Sequence, residues 1–572
     1  MNNKLNEIIE ITDLKDMLNK TKKIYGNRPA YKIRNGEGGY KIITHNEIRE
    51  MIDCLGTAIC NLGLRGKRIA VIGENRYEWG LSYLSIVCGT GIVVPLDKLL
   101  PENELESLIE RSKIEAIFYT SKYEETVKKI RKNKNNNLKY LISMDLKEST
   151  DDIYSQQELV EEGRELIQKG YRDFIDAKIN PEEMSIMLFT SGTTSKSKAV
   201  ALSHKNICSN LIGIGKSIDI NCEDILLSNL PLHHVFECTV GLLFTLYRGA
   251  QTVYCDSLIH IVDNLREYKA SVMFSVPGIY EKIFVMIKKK LEKENKLQEI
   301  IDNKEKYEKM SMEERKETFK DIHKILGENI KILFSGAAAL DSKVEEGYQL
   351  LGFDIAQGYG LTETSPVISV GTRKFHKIGS VGKAIPGVEA KVVDVNNEGI
   401  GELIVKGDNI MLGYYENDKE TKEVLKNGWF YTGDLAKIDD DGYIYICGRK
   451  KNVIVLKNGK NIFPEEMENL INKIDGVEES FIFGKESLKD RENIKINVQI
   501  VFNRNTMKEL YNVESDEEIY LIFSQKIKEV NKTMPSYKSI RGILITEKPL
   551  IKTTTNKIKR QANLDEIEKI KD

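Results

Sequence analysis

The chain has 572 residues, of which 41% are hydrophobic and 30% charged, as in an ordered globular protein of several domains rather than a disordered one. Its 85 Lys and Arg residues nearly balance 87 Asp and Glu residues, so no overall charge attracts nucleic acid, and we expect no nucleic-acid partner. No apolar run approaches the roughly 20 residues of a membrane-spanning helix. Scattered cysteines and a polar Met1–Lys20 segment predict a cytoplasmic protein with reduced thiols.

Short apolar runs alternate with segments of helical periodicity in the first 335 residues. Helical spacing of apolar residues predicts helices at Ile42–Leu62, Trp79–Gly89 and Glu104–Ser112. Runs rich in β-branched residues predict buried strands at Arg68–Gly73, Gly91–Pro95, Ala116–Tyr119, Ser185–Phe189, Ile225–Asn229, Gln251–Tyr254, Val272–Val276 and Ile330–Phe334. This alternation predicts mostly parallel sheets that helices cover on both faces.

Two Lys-rich stretches interrupt the pattern. Lys128–Lys139 is predicted as a surface loop and Lys288–Lys320 as solvated helix. An apolar stripe runs into the second stretch, at Ile279, Ile283, Met286, Ile287 and Leu291. Cationic amphipathic helices can lie on a membrane surface, so peripheral contact of this helix with the inner face of the membrane is one interpretation. Packing of the apolar stripe on the protein's own core is the favoured interpretation.

The sequence changes character after residue 375, where glycines and charged turns separate short predicted strands. These strands, at Ala390–Val395, Gly401–Lys406 and Gly442–Ile446, indicate a β-rich subdomain over about 376–447. A boundary is predicted at Gly448–Asn452. The remaining residues alternate between helix and strand patterns and predict a small α+β domain.

The segment Thr190–Lys198 (TSGTTSKSK) follows a predicted strand and combines hydroxyl side chains, a glycine and two lysines. Small residues let backbone N–H groups turn toward an anion, and hydroxyl and ammonium groups can complete the cradle. It is not a Walker A loop, because the second glycine before Lys-Ser/Thr is missing. Composition alone leaves a phosphate-binding loop and an ordinary Ser/Thr-rich loop equally open.

Three further motifs carry candidate site residues. In Gln357–Thr364 (QGYGLTET), Tyr359 can present its ring to a flat heterocycle, and Glu363 can bind a hard cation such as Mg²⁺. Asp434, which ends the sequence YTGD, can accept hydrogen bonds from two adjacent hydroxyls, as on a ribose. Lys557 lies in a Thr-rich segment near the C-terminus, where a lysine is more often only surface charge.

Taken in this order, with Gly448–Lys451 (GRKK) before the last lysine, the motifs resemble those of the adenylate-forming superfamily. That superfamily comprises acyl-CoA synthetases, adenylation domains of peptide synthetases and firefly luciferases, and the similarity runs from about Thr21 to Gln561. Three segments are most similar to bacterial long-chain fatty acid–CoA ligases: Glu74–Trp79 (ENRYEW), Leu230–Glu237 (LPLHHVFE) and Val276–Ile283 (VPGIYEKI).

The resemblance implies a nucleotide site. The residues that would hold the β- and γ-phosphates of ATP are Thr190, Ser191, Gly192, Thr193, Thr194 and Lys198. The adenine and ribose would be bound by Gly336, Ala337, Ala338, Tyr359, Gly360, Asp434 and Arg449. Thr362 would touch the α-phosphate and Glu363 would bind Mg²⁺.

The resemblance also implies the catalytic and moving parts. Lys557 would serve the first half-reaction, and His234 would be a gate at the mouth of the acyl site. Lys451 would be the hinge, at 450–451, between an N-terminal ATP- and acyl-binding domain (1–449) and a mobile C-terminal domain (452–572). The expected fold is therefore α/β, with mostly parallel sheets covered by helices, a β-rich subdomain and a small α+β domain.

The expected activity is ATP-dependent ligation of a medium- or long-chain fatty acid to coenzyme A through an acyl-adenylate, with release of AMP and pyrophosphate. Alternatives are loading of an acyl carrier protein, ligation of another carboxylic acid, and binding without turnover. The sequence departs from the family pattern at four positions. Ser197 stands where the family usually has Pro, and Gly is usual at the positions of Ser195, Ala199 and Asn556. Ser and Asn still permit turns, so we expect altered loop geometry and ATP affinity rather than loss of chemistry.

Overall fold

The computed structural model describes residues 7–36, 38–133, 135–190, 197–373, 376–456, 460–487, 490–554 and 557–569, with the side chains at 486, 487 and 490–493 left out of the description. Within these residues no helix has the length and apolarity needed to cross a membrane. All eight cysteines are free thiols, as predicted.

The described residues up to 217 alternate strands and helices. The strands are β1 (Pro29–Arg34), β2 (Tyr40–Thr44), β3 (Arg68–Ile72), β4 (Ile92–Pro95), β5 (Ala116–Tyr119), β6 (Tyr140–Ser143), β7 (Tyr154–Ser155), β8 (Met184–Thr190) and β9 (Lys198–Ser203). The helices are α1 (Leu14–Tyr25), α2 (His45–Ile59), α3 (Tyr77–Val87), α4 (Glu102–Arg111), α5 (Glu124–Lys132), α6 (Gln156–Gln168) and α7 (His204–Ser217).

Two predictions in this part were wrong. The expected helix Ile42–Leu62 begins only at His45, because the Thr44 hydroxyl accepts a hydrogen bond from the Glu47 N–H and the Glu47 carboxylate accepts one from the Thr44 N–H. The residues before this capping box form β2, which pairs antiparallel with β1. The expected loop Lys128–Lys139 begins as the last turns of α5, whose Val127 and Ile130 are buried.

Residues 218–373 continue the alternation. The strands are β10 (Ile225–Ser228), β11 (Gln251–Tyr254), β12 (Val272–Ser275), β13 (Ile332–Ser335), β14 (Ile355–Gly360) and β15 (Val367–Val370). The helices are α8 (Phe244–Arg248), α9 (Ile261–Tyr268), α10 (Pro277–Lys293), α11 (Leu297–Asp302), α12 (Lys304–Glu308), α13 (Met312–Thr318), α14 (Lys320–Leu326) and α15 (Ser342–Leu350). The predicted solvated helix is thus a series of short helices. Ile283, Ile287 and Leu291 of its apolar stripe are buried in the protein core, which confirms the favoured interpretation.

Two large sheets form the centre of the molecule. Within the described residues, one has the strand order β9-β8-β4-β3-β5-β6-β7, and the other has β15-β14-β13-β12-β10-β11-β1-β2. Pairing is parallel from β8 to β7 and from β14 to β1, whereas β9, β15 and β2 pair antiparallel with their neighbours. Alternate residues of a strand enter different cores: Ile69 and Val71 face one cluster, and Ala70 and Ile72 another. Both faces are therefore covered, as the apolar runs predicted.

The described chain after residue 375 is rich in strands. They are β16 (Lys383–Ala384), β17 (Val388–Val393), β18 (Gly401–Gly407), β19 (Gly413–Tyr414), β20 (Leu425–Lys426), β21 (Trp429–Ile438) and β22 (Ile444–Arg449), with one helix, α16 (Asp418–Val424). Strands β17, β18, β21, β20 and β22 form an antiparallel sheet, whereas β16 and β19 extend the two large sheets. Pairing of β19 with β9 fixes this segment against the cavity described below.

The described C-terminal residues have their own core. Its strands are β23 (Ile454–Val455), β24 (Asn461–Ile462), β25 (Val477–Ser487), β26 (Asp490–Phe502) and β27 (Ile540–Thr546), and its helices are α17 (Pro464–Ile471), α18 (Arg504–Tyr511), α19 (Asp516–Lys532) and α20 (Arg560–Lys569). The three-stranded sheet β25-β26-β27 packs on α17 and α19 through Met467, Ile500 and Phe523. This is the predicted α+β arrangement. Lys473 bridges to Asp341, at the start of α15, with 2.8 Å between Nζ and Oδ2.

Candidate active site

A connected cavity of about 1570 Å³ lies between the large sheets, the strands after residue 400 and the C-terminal segment. Its volume exceeds the roughly 300–1,000 Å³ of a site for one small ligand, so it has room for more than one substrate. Every predicted site residue that the structure describes lines it: Thr190, Lys198, His234, Gly336, Ala337, Ala338, Tyr359, Gly360, Thr362, Glu363, Asp434, Arg449, Lys451 and Lys557. Ser191, Gly192, Thr193 and Thr194 lie outside the described residues.

The predicted phosphate loop starts and ends at the cavity. Strand β8 ends at Thr190 and β9 begins at Lys198, and these two residues are cross-strand partners. Both residues that border the predicted loop therefore lie side by side at the cavity wall. The Lys198 ammonium lies 3.1 Å from a Glu420 oxygen of α16 and 4.8 Å from the centre of the Tyr414 ring.

Asp434 is held by contacts with three neighbouring residues of the site. It is the register partner of Arg449 across β21 and β22, and the Arg449 Nε lies 2.7 Å from its Oδ1. The Tyr359 hydroxyl donates to Oδ2, and the Asp434 N–H donates to the Thr432 hydroxyl. Burial raises the pKa of Asp434, while Arg449 and Tyr359 act in the opposite direction. The carboxylate is thus held rigidly at the cavity wall beside an aromatic ring.

The cationic side chains that line the cavity include Lys198, Arg449, Lys451 and Lys557. Burial of the Lys557 ammonium among protein atoms is the main cause that lowers its pKa, and the charge of Arg449 lowers it further. The open cavity nevertheless leaves the Lys557 side chain accessible to solvent. The pKa of Lys451 is lowered by burial first and then by Arg449 and Lys198. Such mutual repulsion is relieved by a bound polyanion.

Lys557 reaches this cluster because the C-terminal segment turns back on itself. The Thr553 N–H donates to the Lys557 carbonyl at 2.9 Å, and the Lys557 N–H donates to the Thr553 hydroxyl at 3.1 Å. Lys552 and Ile558 pair antiparallel outside these bonds. A residue that the sequence alone left as surface charge is therefore aimed at Arg449, Asp434 and Glu363.

Glu363 is the carboxylate that could hold a metal ion. It lies in a short turn, Thr362–Thr364, after β14, and the Tyr414 hydroxyl donates to its Oε1 at 2.9 Å. Among the described residues no group of three or more His, Cys, Asp or Glu side chains could hold a metal. A carboxylate at this position in the cavity fits Mg²⁺, which binds proteins through one or two carboxylates and completes its shell with phosphate oxygens and water.

The backbone after β13 and β14 allows close approach at two glycines. A Cβ on Gly336 would lie 2.9 Å from the Phe236 ring, and one on Gly360 would lie 1.8 Å from the Pro366 carbonyl oxygen. Ala337 has φ of 68°, the left-handed conformation that residues with a Cβ rarely adopt. These positions keep one wall of the cavity flat and free of side chains beside Tyr359.

Next to this wall the cavity is apolar. The Phe274 and Phe334 rings stack with centres 5.0 Å apart, and Phe236 meets Phe274 edge-on at 6.3 Å. Ile214 and Val240 extend the same surface. His234 precedes it in the chain, and its Nδ1 accepts a hydrogen bond from the Phe236 N–H at 3.2 Å. Burial, with help from His233 and Lys557, lowers the pKa of His234 to about 4.

The structure adds three residues that sequence reasoning missed. His233 lines the cavity beside His234, and its Nε2 lies 3.3 Å from an Asp97 oxygen. Asp97 follows β4, and nothing in its local sequence pointed to this contact. Glu237 is fully buried behind the two histidines, where the Ser228 hydroxyl donates to it and burial raises its pKa to about 8.

Comparison with known proteins identifies the family. Residues 18–415 match the family described as AMP-binding enzyme, and residues 451–570 match the AMP-binding enzyme C-terminal domain. A long-chain-fatty-acid–CoA ligase of Escherichia coli O6:H1 is 26% identical over 517 residues, which cover 84% of this chain and 85% of that protein. The peroxisomal long chain acyl-CoA synthetase 6 of Arabidopsis thaliana is 28% identical over 476 residues, covering 78% of this chain and 67% of that one.

Solved structures share the fold. ATP-bound MatB from Rhodopseudomonas palustris superposes with a TM-score of 0.76 at 21% identity, covering 98% of this chain and 100% of that one. O-succinylbenzoate–CoA synthetase of Bacillus subtilis, in complex with ATP and magnesium, gives 0.73 at 19% identity and covers 96% and 99%. With a family match over residues 18–415 and a common fold, the chain belongs to the AMP-binding enzyme family.

Proposed function

We propose that this protein is an ATP-dependent ligase that joins a medium- or long-chain fatty acid to coenzyme A through an acyl-adenylate, releasing AMP and pyrophosphate. The observation that carries the proposal is the convergence of Lys198, Arg449, Lys451 and Lys557 with Glu363 and Asp434 around one cavity that continues into an apolar, aromatic region. The cations suit a triphosphate, and the apolar region suits an acyl chain.

Nucleotide recognition falls to the rigid wall of the cavity. Asp434 accepts hydrogen bonds from the ribose hydroxyls, held in place by Arg449 and by the Tyr359 hydroxyl. The adenine lies between the Tyr359 ring and the backbone at Gly336, Ala337 and Ala338, where no long side chain intervenes. Thr190, Ser191, Gly192, Thr193, Thr194 and Lys198 hold the β- and γ-phosphates.

Adenylation joins two anions. The fatty carboxylate oxygen attacks the α-phosphorus, the new O–P bond forms, and pyrophosphate leaves with the electron pair of the broken bond. Lys557 contacts the reacting carboxylate and α-phosphate, and Thr362 donates to the same phosphate, so charge that develops there is stabilised in a partly desolvated site. When bound to Glu363, Mg²⁺ would neutralise phosphate charge.

The second half-reaction requires another arrangement of the C-terminal residues, because Lys557 occupies the face that a thiol must approach. We therefore place the hinge at 450–451, with Lys451 as its pivot, between a domain over 1–449 (β-rich subdomain about 376–447) and a mobile domain over 452–572. The ion pair between Lys473 and Asp341 would hold the adenylating arrangement. His234 gates the apolar part of the cavity.

The aromatic surface of Phe236, Phe274 and Phe334 favours a long acyl chain over a short or polar acid. The names of the Escherichia coli and Arabidopsis relatives support this at 26% and 28% identity. The test is a panel of carboxylic acids, from acetate through benzoate to palmitate, assayed for AMP release with and without CoA. Release that is greatest with palmitate and requires CoA is expected, and release only with aryl or short acids would contradict the long-chain assignment.

Two finer questions belong to the same proposal. Coenzyme A is the proposed acceptor, and an acyl carrier protein is the alternative, which thioester formation with CoA alone would eliminate. Val285 and Met286 of α10 stay exposed among lysines, and this is the segment we propose for any peripheral membrane contact. Co-sedimentation with anionic vesicles, compared with a Met286→Glu variant, tests that contact.

A further inference from the structure

The contact between His233 and Asp97 has no role in the reaction as described so far. Both side chains line the same cavity as His234 and Lys557, and the His233 Nε2 lies 3.3 Å from the Asp97 carboxylate. Within the described residues the His233 side chain makes no other ion pair or hydrogen bond, whereas the Nδ1 of His234 already accepts the Phe236 N–H. One imidazole nitrogen next to the reacting region is therefore available.

This side of the cavity also reaches solvent. The wall beyond Asp97 is formed by Pro101, Glu104 and Arg111 of α4 and the turn before it, and all three are exposed. The apolar acyl region lies next to His234 in the same cavity, where the His234 Nδ1 accepts the Phe236 N–H. This exposed wall gives a long, flexible thiol a route into the cavity whose lining includes Asp97 and His233.

We propose that His233 is the general base that accepts the thiol proton of coenzyme A in the second half-reaction, with Asp97 as its positioning residue. The proposal rests on the ligase function given above and names a further catalytic group for it. A free thiol is only a few per cent thiolate at neutral pH, and the thiolate is the nucleophile, so a base close to the sulfur has a clear task.

The Nδ1 of neutral His233 takes the thiol proton while the sulfur bonds to the acyl carbon. The bond from that carbon to the phosphate oxygen breaks, and AMP leaves with its electron pair. The imidazolium is stabilised by the Asp97 carboxylate beside Nε2 and then gives its proton to water.

Charged groups next to His233 act on its protonation in opposite directions: Lys98 disfavours the imidazolium that the step forms, and Asp97 favours it. Burial keeps His233 neutral at physiological pH, lowering its pKa to about 4, and Lys98 acts in the same direction while Asp97 opposes it. His234 and, through it, Lys557 are the other titratable groups on this side. A neutral imidazole can accept a proton, and the neighbouring carboxylate lowers the cost of the charge that forms.

The test uses the full-length enzyme, synthetic palmitoyl-adenylate and CoA in single-turnover reactions at about pH 7 and about pH 9.5, below and above the ordinary thiol pKa. His233→Gln should lose roughly 100-fold in thioester formation at the lower pH. At the higher pH the deficit should shrink to about fivefold or less, because the thiol then ionises without a base. Asp97→Asn should show the same pattern with a loss of roughly tenfold.

The matched control is His260→Gln. His260 is also paired with an aspartate, since its Nδ1 lies 3.5 Å from Asp256, but it is 56% exposed and does not line the cavity. It should leave both rates unchanged. Pyrophosphate exchange with ATP and palmitate should stay within about threefold of wild type in every variant, which also shows that each variant is folded.

Equal deficits of His233→Gln at both pH values, or parallel loss of pyrophosphate exchange, would overturn the assignment and leave His233 with a structural role. Absence of a deficit at the lower pH would overturn it as well. Failure of the wild-type protein to exchange pyrophosphate with any carboxylic acid is a different outcome, and it would overturn the proposed ligase function together with this step.

Discussion

Replacement of Lys557 by alanine should separate the two half-reactions. The ammonium lies in the cavity near Arg449, Asp434 and Glu363, and protein atoms around it lower its pKa. Loss of one such charge contact in a partly desolvated site raises a barrier by about 3–4 kcal/mol, or roughly a hundred- to a thousandfold in rate. The folded state should lose little, about 0.5 kcal/mol, because the side chain is accessible and its removal lessens repulsion with Arg449 and Lys451.

The assay measures each half-reaction by itself. Pyrophosphate exchange with ATP and palmitate reports adenylation and should fall by the full factor in Lys557→Ala. Synthetic palmitoyl-adenylate with CoA reports thioester formation and should proceed at close to the wild-type rate. Lys548→Ala is the matched control, since Lys548 lies in the same C-terminal segment, is 70% exposed and, within the part of the chain that the structure describes, forms an ion pair with Glu566 alone, at 2.8 Å. A surface pair of this kind contributes about 0–1 kcal/mol, so both rates should be unchanged.

Two results would refute this reasoning. If both half-reactions fall together in Lys557→Ala, the residue supports the structure of the C-terminal segment rather than the chemistry. If neither falls, the lysine does not act in adenylation, and the cations that remain in the cavity suffice. A shift of the thermal midpoint that matches the rate loss would indicate the first case.

Four further predictions concern the hinge, the ribose contact, the acyl region and a buried acid. Lys451→Pro should spare pyrophosphate exchange and impair thioester formation, because proline fixes φ, and equal loss of both would contradict the hinge. Asp434→Asn should raise the KM for ATP more than that for palmitate, since only the nucleotide meets this carboxylate, and a matching rise for palmitate would count against it. The kcat/KM for palmitate should exceed that for acetate by at least ~100-fold, because each buried methylene contributes about 0.8 kcal/mol. A preference for acetate would exclude the long-chain assignment. Glu237, whose pKa is raised to about 8, stabilises the folded state fully below about pH 4.5 and loses that contribution as the pH rises to about 8. Glu237→Gln should therefore flatten the decline of the thermal midpoint with pH over this window. An unchanged slope would show that Glu237 is not the cause of the decline.

Local sequence predicted the elements whose pattern is local. The strand Ala116–Tyr119 and the strand Gln251–Tyr254 have the bounds expected from their apolar runs, because a strand buried on both faces must be apolar at every position. The strand Tyr40–Thr44 was not predicted, because its apolar residues continue the helical spacing of α2 and the expected helix therefore began at Ile42. Pairing with β1, together with the capping box at Thr44, decided its conformation. Lys128–Lys139 was misread for the opposite reason, since abundant lysines concealed the buried Val127 and Ile130.

The resemblance of the motifs to a known family indicated which residues to place in one site, and those that the structure describes line one cavity. Only the tertiary structure decided how that site is assembled. Lys557 is surface charge in its own segment and becomes part of the cavity because the hairpin at Thr553 turns it toward Asp434 and Arg449. Asp97 lies in the chain after β4 and His233 in the chain after β10, and no sequence periodicity relates the two positions. Such contacts depend on how sheets and domains pack, which is long-range, whereas a motif records only the chemistry of neighbouring residues.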